Sequence, residues 1–176
     1  GANYLGVTVA AVIEVARLVF NRETTNDIYF VLTNTDSGSV HRTGQGNLGI
    51  AVLLDWMENH NTRPAAIFAF RQLLAVDSSN DDGDHIQFTY YKTSGLSVQY
   101  DFVATMVSMI ASGAGNNRFS SYSSGGYWWE RSPSYTASQN GIPGFTISQK
   151  YSDGYSGSLY DTYNAWPYDY SMAAEA

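Results

Sequence analysis

The feature that most constrains this chain is an abrupt change of character at Gly113-Ala-Gly115. Before it lies an apolar run compatible with a helix. After it comes Asn-Asn-Arg118-Phe-Ser-Ser-Tyr122-Ser-Ser-Gly-Gly-Tyr127-Trp-Trp129, with almost no apolar periodicity. Glycine reaches left-handed backbone angles without a Cβ clash, so Gly-Ala-Gly is a helix stop. The expected organisation is a helical core over 1–131 and an extension over 132–176, lying on the surface or against neighbouring subunits. In that extension apolar residues are sparse, and Tyr151, Tyr155, Tyr160, Tyr163, Tyr168 and Tyr170 recur without a fixed period, which excludes a solenoid repeat.

Upstream, residues 4–20 predict a helix with a narrow polar stripe, because Glu14, Arg17 and Asn21 fall at i, i+3 and i+7 on an otherwise apolar cylinder. Ile28-Tyr-Phe-Val-Leu-Thr33 reads as a short strand before the Asp36-Ser-Gly-Ser turn. A helix is expected over 48–58. Pro64 then sits where a first helical turn tolerates it, so 65–76 is expected to close an α-hairpin. Ile86, Phe88 and Tyr90 alternate with polar residues and predict a strand over 85–91. Leu96, Tyr100, Val103, Val107 and Ile110 fit a helical face over 97–112. The sum is a mainly α fold: a four-helix-bundle-like core, a small β element and an irregular Tyr/Ser/Gly-rich C-terminal extension.

Composition narrows the function. The 176 residues suit one domain with an appendage. Nine Lys/Arg against 16 Asp/Glu give a net charge of −7, unlike a freestanding basic nucleic-acid binder. With no cysteine, disulfides and thiolate metal sites are impossible. No run of about 18 uncharged apolar residues occurs, so a membrane-spanning helix is not expected. The first segment lacks the basic start of a signal peptide, and Gly1 stands where an initiating Met would, as in a piece of a longer chain.

No catalytic constellation emerges, and the chain is read as a non-enzyme without cofactors. His41, His60 and His85 are far apart and lack ligand spacing, so no metal is expected from them. Gly44-Gln-Gly46-Asn-Leu-Gly49 matches Gly-x-Gly-x-x-Gly, but the flanking βαβ unit is missing, and a flexible helix entry is the better reading. Asp77-Ser-Ser-Asn-Asp-Asp-Gly-Asp84 lacks the distant Glu of a calcium loop and reads as a solvated acidic loop. Arg63, Arg71 and Lys92 flank the central helices, where a few cations on an acidic subunit suit a phosphate backbone.

Residues 113–129 resemble the C-terminal segment of tobacco mosaic virus-like coat proteins of rod-shaped plant viruses, in which the last bundle helix ends in Gly-x-Gly before an arginine, an aromatic, a Ser/Gly run and a Trp. The helix over 48–58 leading into Asn61-Thr62-Arg63 is similar to that family's RNA-facing region. The resemblance implies a coat subunit that polymerises with itself into a helical capsid around single-stranded RNA, located in the virion and the host cytoplasm. By it, Arg63 matches an RNA-phosphate arginine, Lys92 stands near a second basic position, and Arg118 and Trp128 belong to the outer segment. Glu23, Asp77, Asp82 and Asp84 correspond to carboxylates that repel across subunit interfaces. The segment after Arg63 departs from the pattern, carrying Pro64-Ala-Ala where the family has a second arginine.

Two other classes stay open. An apolar N-terminal helix with Tyr122, Tyr127, Trp128 and Trp129 resembles actinoporin-like pore-forming toxins, although the acidic charge suits anionic lipid poorly. An aromatic-rich glycan-binding module is the other.

Overall fold

The computed structural model describes residues 6–33, 48–71, 73, 86–90, 95–113, 119–123 and 132–149. The chain divides into two compact units, one formed by 1–32, 70–84 and 149–176, the other by 33–69 and 85–148.

In the first unit, α1 spans Val7–Val19, within the helix expected from the polar stripe. Two members of that stripe pair: the Arg17 Nε donates to Glu14 Oε2 at 2.8 Å, one turn apart and exposed. Thr8 is the buried residue of the helix, while Ile13, Leu18 and Phe20 stay exposed. The strand expected at 28–33 does not form, and Ile28 to Leu32 carry exposed apolar side chains outside any ladder. Alternation and β-branching favour a strand only where a partner strand supplies the hydrogen bonds.

The second unit contains α2 (Leu48–Asn59), β2 (Ile86–Tyr90), α3 (Ser97–Gly113), β3 (Phe119–Ser123) and α4 (Pro133–Gln139). β1 (Ile67–Arg71) and β4 (Gly144–Gln149) complete a four-stranded sheet ordered β1-β4-β2-β3. β2 and β3 run parallel, Ile86 opposite Phe119 through Tyr90 opposite Ser123, with α3 as the crossover between them. Such a crossover is how parallel neighbours are joined.

The core of this unit is aromatic. Phe145 on β4 is fully buried, with ring centroids 5.2 Å from Phe68 on β1, 5.2 Å from Phe88 on β2 and 5.1 Å, edge-on, from Tyr100 on α3. Tyr90 stacks on Tyr100 at 5.6 Å. Each such pair adds roughly 0.5–1.5 kcal/mol beyond the area it buries. Because β4 lies between β1 and β2, one side chain at position 145 gathers rings from three other elements.

The four-helix bundle is therefore corrected: among the described residues the helices share the chain with a four-stranded sheet. The second arm of the expected α-hairpin, 65–76, is strand β1 over Ile67–Arg71. A short apolar run of that length fits either period, and pairing with β4 decides it. The extension is corrected too: 132–149 is not irregular but supplies α4 and the central strand β4. Its small hydroxyl residues are not a solvent coat; Ser132, Ser134, Ser138 and Thr146 are buried.

Candidate functional site

Two helix ends in the second unit are built alike and lie together. After α2, the Thr62 N–H donates to Met57 O (2.8 Å) and the Asn61 N–H to Glu58 O (3.0 Å), with Asn61 at φ 52°. After α4, the Ile142 N–H donates to Ala137 O (3.0 Å) and the Gly141 N–H to Ser138 O (3.1 Å), with Gly141 at φ 71°. Both are Schellman caps, a six-to-one and a five-to-two bond around a left-handed residue, satisfying carbonyls that a helix leaves orphaned. Asparagine is the side-chain-bearing residue that tolerates the left-handed position best.

The caps are joined. Arg63 Nη2 donates to Gly141 O at 3.2 Å, and the Ile67 N–H at the start of β1 donates to Pro143 O at 2.8 Å, just before β4. On the last turn of α2, His60 stacks on Trp56 with centroids 4.3 Å apart. His60 Nδ1 lies 2.7 Å from Trp56 O. A carbonyl only accepts, so Nδ1 is the donor in this contact. His60 and Arg63 are both exposed. The face thus offers an imidazole held by its Nδ1 contact and a guanidinium with further N–H groups besides the one on Gly141, and the guanidinium is a donor suited to carbonyl and carboxylate oxygens.

Beneath it runs a buried relay of hydroxyls. The Gly144 N–H donates to the Tyr100 Oη at 3.0 Å, and Ser138 Oγ gives its proton to Ser134 O at 2.9 Å. Ser138 has no second proton, so in the 2.5 Å contact between Tyr100 Oη and Ser138 Oγ it is Tyr100 that donates. Ser132 Oγ bonds Ser134 Oγ at 2.9 Å, and Ser134 Oγ bonds Thr146 Oγ1. These residues join α3, α4 and β4 where apolar packing leaves backbone groups to satisfy.

Of the residues singled out from the sequence, Arg63 belongs to this face. Arg71 ends β1 and is half-buried, and Glu23 is exposed beyond α1. Lys92, Arg118, Trp128 and the loop carboxylates Asp77, Asp82 and Asp84 lie outside the described residues. Sequence reasoning missed Tyr100, Ser134, Ser138 and Gly141. Ser132-Pro133 was a legible helix start, since Ser132 Oγ accepts from the Tyr135 N–H at 3.2 Å and Pro occupies the first turn. Among the described residues no group of three or more His, Cys, Asp or Glu is placed to hold a metal ion, and no helix is long and apolar enough to cross a membrane.

A parallel strand pair joined by a helix, within a four-stranded sheet, is an α/β arrangement. Its fold is similar to that of two solved structures of the Legionella pneumophila LapA aminopeptidase, with TM-scores of 0.70 and 0.71 at 16% identity. The likeness covers 98% of this chain but 43% and 44% of theirs, so the chain spans less than half their length. No family model and no curated protein matches the sequence.

This overturns the coat-protein resemblance. A helical capsid subunit polymerising around single-stranded RNA is corrected to an aminopeptidase-like fold. The Gly-x-Gly, arginine, Ser/Gly and Trp elements misled because such residues align readily by composition. Within that stretch, Phe119–Ser123 is strand β3 rather than a coat protein's outer segment. Neither the pore-forming toxin nor the glycan-binding module gains support from the fold.

Proposed function

We propose that this chain is part of an aminopeptidase-like protein and acts on peptides presented by a free amino end. The observation that carries the reading is the fold likeness to LapA over 98% of the chain. Arg63 on the paired helix caps is a described, exposed donor able to meet peptide carbonyl and carboxylate oxygens. The test is hydrolysis of aminoacyl-p-nitroanilides, with and without added divalent cations, against the same compounds N-acetylated. Turnover of the free amines alone is the expected result; no turnover of any member under any condition would overturn it.

A second reading, a chain that holds such peptides without cutting them, is favoured by the chemistry beneath the caps. The buried groups there are hydroxyls, and the protons of Tyr100 and Ser138 are already committed to neighbours, so neither is free to donate a proton to a reacting group. Fluorescence polarisation with labelled peptides separates the readings: free-amine-dependent binding without turnover selects the second.

A further inference from the structure

We draw no further inference here: the strongest candidate, the stripe of exposed apolar side chains Val98, Phe102, Met106 and Met109 along α3 with the open groove beside Met109, is an unpartnered helix face, and nothing in the structure shows what covers it.

Discussion

The Tyr100 hydroxyl sits 2.5 Å from Ser138 Oγ, 38 residues further along the chain, and accepts the Gly144 N–H at 3.0 Å. One phenolic oxygen thereby ties α3 to both α4 and β4. Tyr100→Phe keeps the ring against Phe145 but leaves a buried N–H and a buried hydroxyl short of a partner. We expect a loss of about 1–3 kcal/mol in urea unfolding. Ser138→Ala removes the receiving oxygen of the same contact, so the double variant should lose less than the sum of the two singles.

Gly144 is irreplaceable for a steric reason. A Cβ there would run into the backbone of Ser134, whose carbonyl, carbonyl carbon and Cα all crowd the position. Backbone cannot rotate aside as a side chain can. Gly144→Ala should therefore lower stability by about 3 kcal/mol, at the upper end of what overpacking produces. Gly95→Ala is the control: nothing lies within 4 Å of its added Cβ, and its thermal midpoint should stay near the wild type's.

Ser132 caps α4 through its side chain, and the helix has only seven residues to hold it together. Ser132→Ala should cost about 1 kcal/mol, and Ser132→Asp should retain most of the cap. Thermal melts of the three proteins, followed by far-ultraviolet circular dichroism, give the ranking.

The Arg17 guanidinium, by its hydrogen bond and then its charge, holds the Glu14 carboxyl below its ordinary value of 4.5. A carboxyl lowered in the folded state adds stability above its unfolded value, lost as pH falls through the folded one. Both side chains are mostly in water, so the thermal midpoint should barely respond. The titration should: in carbon-13 NMR the Glu14 midpoint is expected to rise toward 4.5 in Arg17→Ala, and an unchanged midpoint would show that the pair does not form in solution.

The helices α1, α2 and α3 were legible because each carries more than ten residues of one period: the Glu14–Arg17 stripe, the Leu48 to Trp56 spacing, and Tyr100 with Val103. β2 was legible through Ile86, Phe88 and Tyr90. Ile67–Arg71 was not, because five apolar-rich residues after a proline satisfy a helix start as well as a strand, and the deciding hydrogen bonds come from Pro143, more than seventy residues away. Ile28–Thr33 failed in the opposite sense, with strand chemistry and no ladder to join. The site was hardest to read. Serine and tyrosine usually mark solvent, and only the folded chain shows that Ser134, Ser138 and Tyr100 face one another.

The twin caps bear on how far sequences of this architecture can drift. Their corners are drawn by main-chain bonds around positions 61 and 141, so what they ask of the side chains is small: a residue that accepts a left-handed turn, and little else. Outline and spelling are then loosely coupled there, and substitutions that keep a left-handed residue at 61 and 141 leave the path of the chain as it is.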